Sequence, residues 1–323
     1  MSDPNTAPVP EPAKKQFNEK MRQLLRAYAT AQSLTNAELG DELGGIHPTL
    51  VSRYLNGKPD GNVVRLEAAA ADVIKNAARR REIAIKLFPT NVSLQMNSNF
   101  ETIRKTNDFA VITGPAGGGK TCGIHLYVAI NPTALFITMT AWQRNVIGME
   151  SILFGEMSTS DWSRNEPRAT YMARKLKNSN RLIIVDNAHR LTNWTLNWFF
   201  DFHDETGCPV ALVGNPEILK LIRTNDQRFS RVGLCDPLPA PDHKKYKIVE
   251  QIVTQIAPEA NGYLNDAGAV VVEQHGHLRA LRKQVSLARE IRENTPGMGM
   301  GWEEAFEAAH LKLIRNYRLV AKK

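Results

Sequence analysis

The chain has 323 residues, of which 42% are hydrophobic and 23% are charged, and this length is enough for about two domains that each bury a core. It contains no run of about 18 apolar residues that could cross a bilayer, and its cysteines lack both the CxxC spacing of a zinc site and the density of a disulfide framework. The chain has 41 Lys and Arg against 33 Asp and Glu, which gives a net charge of +8 and a pI near 9.4. This positive charge favours a polyanionic partner such as nucleic acid. A basic protein that has no such partner is the alternative.

Residues 1–15 are polar and rich in proline, and they lack the apolar segment of a signal peptide. This composition predicts a disordered leader on a cytoplasmic protein that has no membrane partner. The first helix is expected over residues 16–31, where apolar side chains recur with helical spacing.

Two short helices are expected next, over residues 35–43 and 48–55. Thr35 and Glu38 form the capping-box pattern at the start of the first, and Asn56 and Gly57 close the second. Helices joined by a Gly-containing turn predict a helix-turn-helix DNA-binding domain, which would extend over residues 16–88. The pattern ELG...L..G...VSRYLNG across residues 38–57 resembles the repressor-type helix-turn-helix family.

The second of these helices is the one expected to contact DNA. In a helix-turn-helix, such a helix enters the major groove and presents side chains to base edges and phosphates. The candidate DNA-binding residues of this domain are Thr49, Ser52, Arg53 and Lys58. A small helical bundle used for protein contacts is the alternative.

A longer helix over residues 63–87 carries a basic cluster that is either a solvated face or a source of phosphate contacts.

The pattern changes after residues 89–99, a polar and mixed stretch that is expected to be the linker into a second domain. Short apolar runs then alternate with helical segments, which predicts an α/β fold with a mainly parallel sheet. The runs are at residues 110–113, 134–138, 182–185 and 210–213, with a weaker one at 232–234. The expected parts are a nucleotide-binding core over 100–241, a helical lid over 242–295 and a basic C-terminal helix over 296–323.

The stretch GPAGGGKT at residues 114–121 matches the pattern G-x-x-x-x-G-K-[ST] between an apolar strand and an apolar helix. Glycines let the backbone amides approach phosphate oxygens, and the helix adds the positive end of its dipole. Lys120 would reach the β and γ phosphates, and the Thr121 hydroxyl would bind Mg²⁺. The expected nucleotide-binding residues are Gly114, Pro115, Ala116, Gly117, Gly118, Gly119, Lys120, Thr121 and Cys122, with ATP and Mg²⁺ as ligands.

A second motif, RLIIVD at residues 181–186, reads as a buried strand that ends in a carboxylate. Open parallel sheets bind ligands at the carboxyl ends of their strands. Asp186 is therefore expected to hold Mg²⁺ together with Thr121, directly or through water.

Five stretches together, VITGPAGGGKT, RLIIVDNAHRL, FHDETGCPVALVGNPEI, QRFSRVG and HGHLRAL, resemble the AAA+ ATPases that serve DNA transposition, over roughly residues 20–295. The resemblance implies a P-loop AAA+ domain with a helical lid, preceded by an all-α helix-turn-helix domain. It assigns Asn215 to sensor 1, which contacts the attacking water or the γ-phosphate, and Arg279 to sensor 2 on the lid. It assigns the arginine finger, which is donated to a neighbouring subunit, to Arg231 or Arg228. The ATPase part is also similar to the AAA ATPases of secretion systems.

The residue after Asp186 departs from that family, because it is Asn187 where a Glu normally polarises the attacking water. An amide can orient water but cannot take its proton, and loss of a general base costs about 10² to 10⁴ in rate. ATP hydrolysis is therefore expected to be slow or dependent on a partner. His189 is a conceivable substitute base, although a histidine at this place more often packs or bonds to the backbone.

The resemblance implies an ATPase that oligomerises as a ring or helical filament on double-stranded target DNA and recruits or activates a transposase. Arg144, in the loop over residues 140–147, is expected to contact the DNA backbone, and Lys175, Lys177 and Arg181 are a second candidate patch. An ATP-switched, sequence-specific transcriptional regulator and a secretion- or partition-type ATPase are the alternatives.

Overall fold

The computed structural model describes residues 18–32, 34–58, 63–85, 87–157, 162–242, 244–245, 247–273, 278–294 and 300–321. The expected leader over residues 1–15 lies outside them. The chain divides into two compact units, Met1–Lys75 and Asn76–Lys323. Among the described helices, none has the length and apolar character that crossing a membrane requires.

The first unit is helical throughout its described part, with α1 Glu19–Ala31, α2 Asn36–Glu42, α3 Pro48–Leu55 and the beginning of α4 Val63–Ile85. The capping box that the sequence predicts is present: the Thr35 hydroxyl accepts from the Glu38 amide, and the Glu38 carboxylate accepts from the Thr35 amide. The helices enclose a small core of Leu25, Leu39, Leu43, Val51, Tyr54 and Leu66, each almost fully buried. These helices agree with the sequence pattern. That the unit is a DNA-binding helix-turn-helix stays a prediction.

The turn between α2 and α3 depends on Gly40. The Gly40 carbonyl accepts hydrogen bonds from the amides of Gly45 and Ile46, at 2.9 Å each, which ends α2 and folds the chain back onto it. A Cβ at Gly40 would lie 2.2 Å from the Ile46 carbonyl oxygen. Only glycine therefore allows α2 to approach the turn this closely.

The second unit is built on a five-stranded sheet in the order β2-β3-β4-β1-β5, and the neighbouring strands pair in parallel. The strands are β1 Phe109–Thr113, β2 Leu135–Thr138, β3 Ile183–Asp186, β4 Val210–Gly214 and β5 Leu234–Pro237. The first four match the expected runs. The fifth begins at Leu234, later than the run at 232–234, although the Gly233 amide already donates to the Phe109 carbonyl at 2.9 Å. Its alternating exposure as an edge strand accounts for the weak apolar signal.

The expectation of a linker over residues 89–99 is wrong, because this stretch belongs to helix α5 Asn91–Thr106, which is capped by Thr90. Val92, Met96, Phe100 and Ile103 are buried at helical spacing and pack with helix α6 Lys120–Ile130 on one face of the sheet. The polar residues between them lie on the remaining faces of the helix. The polar composition of this stretch therefore conceals a helical period of buried residues.

The other face of the sheet is covered by α7 Val146–Gly155, α8 Arg168–Leu176 and α9 Asn193–Thr206, followed by α10 Ile218–Arg223 and α11 Asp226–Ser230. A separate core joins α12 Ile248–Ile256, α13 Leu264–Glu273, α14 Leu278–Glu293 and α15 Trp302–Ala321. The guanidinium of Arg292 on α14 lies 4.5 Å from the ring centre of Trp302. The expected lid and the C-terminal helix therefore share one core.

Replacing Gly40 with Ala should destabilise the first unit by about 1 to 3 kcal/mol, because the new methyl group meets backbone and not a flexible side chain. Amide hydrogen exchange over α1–α3, followed by mass spectrometry, would show faster exchange there. The matched control is Gly155→Ala, since a Cβ at that position has no atom within 4 Å. Unchanged protection in the Gly40 variant would contradict the close approach.

Candidate nucleotide site

The loop between β1 and α6 is shaped by its glycines. Gly117 and Gly119 have φ of 74° and 95°, a left-handed conformation that other residues adopt at a cost. A Cβ at Gly118 would lie 3.2 Å from the Pro115 carbonyl oxygen. Helix α6 begins at Lys120, directly after Gly119, so the loop and the amino end of the helix form one cradle of backbone amides for an anion.

Lys120 is buried, and its ammonium group donates to three oxygens. It lies 2.7 Å from the Gly114 carbonyl, 2.8 Å from the Pro115 carbonyl and 3.2 Å from Oδ1 of Asn215 at the end of β4. Burial lowers the pKa of Lys120, and the nearby Asp186 carboxylate opposes that shift. The P-loop lysine and the expected sensor 1 residue are therefore in direct contact.

Thr121 and Asp186 also meet, with the Thr121 hydroxyl donating to Oδ2 of Asp186 at 2.7 Å. The other carboxylate oxygen accepts from the Asn187 amide at 2.8 Å. A hydroxyl and a carboxylate at the carboxyl edge of a parallel sheet are the hard oxygen ligands that Mg²⁺ uses. A site with two protein oxygen ligands fits Mg²⁺, which binds through one or two protein ligands together with phosphates and water.

Asn187 adopts a left-handed backbone conformation, with φ 55° and ψ 34°. Asn tolerates this region far better than Glu does, because its short polar side chain can bond locally. The Asn at this position is therefore compatible with the local backbone, which the sequence pattern does not reveal. A Glu placed here would carry a backbone cost.

His189 is not available as a base through Nδ1, because that atom accepts a hydrogen bond from the Asn215 amide at 3.4 Å. The neutral tautomer with its proton on Nε2 is the one that fits this contact. Burial lowers the pKa of His189, which favours the same neutral form. The histidine thus holds the end of β4 beside the turn that follows Asp186.

The start of α14, in the expected lid, meets the loop through main-chain atoms. The Leu278 amide, at the start of α14, donates to the Gly117 carbonyl at 3.1 Å. Arg279, the expected sensor 2, follows as an exposed residue, and its positive charge helps to lower the pKa of Lys120. The structure therefore places Arg279 within electrostatic reach of the lysine. Cys122 is the third residue of α6.

The two candidates for the arginine finger differ in their surroundings. Arg228 is buried, and its guanidinium donates to the side chains of Asn197 and Asn193 and to the Leu221 carbonyl, at 2.8 to 2.9 Å. Arg231 is exposed and lies 3.3 to 3.4 Å from carboxylate oxygens of Asp201 and Asp204 on α9. Arg231 is therefore the better candidate for the arginine finger, because it is exposed and Arg228 is buried. That Arg231 acts as a finger stays a prediction.

The expected DNA-binding residues of the first unit lie mostly on its surface. Thr49, Arg53 and Lys58 are exposed, whereas Ser52 is half-buried and lines a groove of about 500 Å³ together with Arg26 and Asn56. The side chain of His47 accepts from the Thr49 amide and caps α3. Exposure is compatible with DNA contact but does not test it.

In the second unit, Arg144 is exposed in the loop before α7. In the second candidate patch Lys177 is exposed and Lys175 is half-buried, and the role of this patch in binding DNA stays a prediction. Arg181 is half-buried and donates to the Thr133 carbonyl at 2.8 Å, and the Lys175 ammonium lies 5.8 Å from the ring centre of Tyr171.

The parallel sheet, the glycine-rich loop and the Thr121–Asp186 pair define an AAA+ P-loop fold. A family model described as "AAA domain" matches residues 103–222, a range that includes Lys120, Asp186 and Asn215 and stops before Arg231 and Arg279. The chain is 28% identical, over 198 residues, to the Mu-like prophage FluMu DNA transposition protein B of Haemophilus influenzae. The aligned region covers 60% of this chain and 69% of that protein. The resemblance to the AAA+ ATPases of DNA transposition, and among them to the target-DNA activator B of phage Mu, is thereby confirmed.

One solved structure agrees at the level of the fold. The ORC2 protein of Aeropyrum pernix, in ADPNP and ADP complexes, superposes with a TM-score of 0.50 at 16% identity, covering 68% of this chain and 66% of that chain, slightly less than two thirds of its length. Cdc6p of Pyrobaculum aerophilum gives a TM-score of 0.43 at 16% identity, covering 58% and 56%. At this identity the first likeness shows the fold alone.

Arg228→Ala should lower the free energy of unfolding by about 2 to 3 kcal/mol, because it removes a buried charged donor from three hydrogen bonds. Arg231→Ala is the matched control and should change it by less than about 1 kcal/mol, as expected for exposed ion pairs. Guanidinium denaturation of both variants measures the difference. Equal destabilisation would contradict the division of roles between the two arginines.

Proposed function

We propose that this chain is an ATP-dependent DNA-binding protein of DNA transposition, which oligomerises on target DNA and recruits or activates a transposase. The observation that carries the proposal is the convergence of Lys120, Thr121, Asp186 and Asn215 at one sheet edge, in a chain related to a DNA transposition protein B. Nucleotide state would control assembly, and assembly would control DNA binding.

ATP would be held by the amides of residues 114–119 and by the first turn of α6. Lys120 would exchange its carbonyl partners for phosphate oxygens, and Arg279 would add a second positive charge from the lid. Thr121 and Asp186 would hold Mg²⁺, which when bound neutralises charge on the phosphates. The three oxygens that satisfy the Lys120 ammonium in the structure support this exchange, because the lysine is already placed inside the loop.

Hydrolysis would be slow in the isolated protein. Asn187 and Asn215 can orient a water molecule but cannot accept its proton, and Nδ1 of His189 is engaged by the Asn215 amide. A long-lived ATP state would keep an assembly on DNA until a partner stimulates its release.

Assembly would bring Arg231 of one subunit to the nucleotide of the next. The arginine must then leave Asp201 and Asp204 of its own α9. Exposed ion pairs contribute only about 0 to 1 kcal/mol, so this exchange has a small cost. The nucleotide site would thus be complete only in a ring or filament, where the neighbouring subunit supplies Arg231.

DNA would be contacted by both units. Arg144 would bind phosphates, while Thr49, Ser52, Arg53 and Lys58 of the first unit would bind phosphates or base edges. Weak contacts repeated along an assembly give high affinity through avidity. The exposed face of α3 also favours a second candidate, a sequence-specific regulator switched by ATP, which would protect one operator without ATP-dependent polymerisation.

Lys120→Ala should weaken ATP binding by on the order of 100-fold, because it truncates a charged partner of the phosphates, and it should abolish ATP-dependent co-sedimentation with duplex DNA of arbitrary sequence. Lys105→Ala removes the same charge from the exposed last turn of α5 and should behave like the unaltered chain. Fluorescent-nucleotide titration and co-sedimentation measure both effects. ATP-dependent binding that survives in the Lys120 variant would rule out the proposed coupling.

Asn187→Glu should raise the rate of ATP hydrolysis by at least tenfold, since it restores a general base. Asn187→Gln is the matched control: it has the same length and the same cost of about 1 to 2 kcal/mol for the left-handed backbone, but it cannot take a proton. Single-turnover hydrolysis at saturating ATP separates the two. If neither variant hydrolyses ATP faster than the unaltered chain, the missing carboxylate is not what limits hydrolysis.

A further inference from the structure

Two exposed tryptophans lie on adjoining segments at the carboxyl edge of the sheet. Trp142 is in the loop between β2 and α7, and Trp194 is in the first turn of α9; each is 79% exposed. The two segments are joined, because the Thr195 hydroxyl donates to the Arg144 carbonyl at 2.7 Å. Trp142 is two residues from one partner of this bond, and Trp194 is next to the other.

The same two segments are basic and carry no carboxylate. Each contributes one exposed arginine, Arg144 and Arg190. No Asp or Glu occurs over residues 139–149 or 187–200. The first carboxylate on α7, Glu150, accepts a hydrogen bond from the indole of Trp198 at 2.8 Å.

Phosphate contact alone accounts for the arginines but not for the tryptophans. Single exposed apolar side chains are ordinary on a protein surface, but two large aromatic side chains on adjoining segments point to a partner that covers them. Nucleobases are such a partner, because stacking on an aromatic ring contributes about 1 to 3 kcal/mol per base. In duplex DNA, apolar side chains reach base faces by inserting at a base step and partly unstacking it.

We propose that Trp142 and Trp194, together with Arg144 and Arg190, form a surface that stacks on nucleobases of the bound DNA while its arginines hold the adjacent phosphates. This tryptophan surface deepens the proposed function and rests on it. The chain would therefore unstack a base step and bind best where stacking is already weak.

The test uses the full chain with ATP and Mg²⁺ and two short duplexes of the same sequence, one of which has a central mismatch. The unaltered chain should bind the mismatched duplex at least fivefold more tightly, because less unstacking is required. The double variant Trp142→Ala, Trp194→Ala should bind both duplexes equally and more weakly. The double variant with Phe at both positions keeps aromatic rings and should retain the preference.

Controls separate stacking from charge and from folding. Ile130→Ala removes a residue that is 66% exposed at the far end of α6 and should leave the preference intact. Arg144→Ala should reduce the salt dependence of binding by about one phosphate contact, whereas the tryptophan variants should not. Fluorescent-nucleotide binding by each variant confirms that the nucleotide site is folded.

The outcomes distinguish the two proposals. If the unaltered chain binds DNA but the tryptophan variants bind both duplexes as it does, the stacking surface is wrong and the proposed function stands. The stacking surface is also wrong, and the proposed function stands, if these variants bind DNA normally and lose only the stimulation of a transposase. The tryptophan surface would then bind protein and not nucleobases. If the unaltered chain binds neither duplex with ATP, both proposals fail.

Discussion

The hydrogen bond between the Thr121 hydroxyl and the Asp186 carboxylate is the contact around which the candidate nucleotide site is arranged. It joins the first turn of α6, after β1, to the end of β3, although β4 lies between these strands. Because the strands are parallel, their carboxyl ends share one edge, and Asn215 at the end of β4 lies in the gap, beside Lys120. Strand order thus makes a single site from residues that are far apart along the chain.

Much of this was readable from sequence because the signals are local. The P-loop, the strand that ends in Asp186 and the Thr35 capping box each depend on a few consecutive residues, and each is found where it was expected. Helix α5 was missed because its buried positions are interspersed with polar ones. The separation of Arg228 from Arg231, the conformation of Asn187 and the contact of His189 with Asn215 all depend on tertiary neighbours, which no local pattern encodes.

The candidate site combines strong binding groups with weak catalytic ones. Lys120, Thr121 and Asp186 are buried or bonded to one another before any phosphate arrives, so little ordering is left to the ligand. The positions that would take a proton instead hold amides or an engaged imidazole. The same turn that places Asn187 in a left-handed conformation supports the end of β4 through His189, which links the departure from the family pattern to the local fold.

The bond from the Leu278 amide to the Gly117 carbonyl has a consequence for evolution and for engineering. Both of its atoms belong to the main chain, so exchanging one side chain for another at position 278 leaves donor and acceptor intact. Only proline, which has no amide hydrogen, would delete it outright. The hydrogen bond between α14 and the phosphate cradle is thus less sensitive to the side chain at position 278 than a side-chain contact would be.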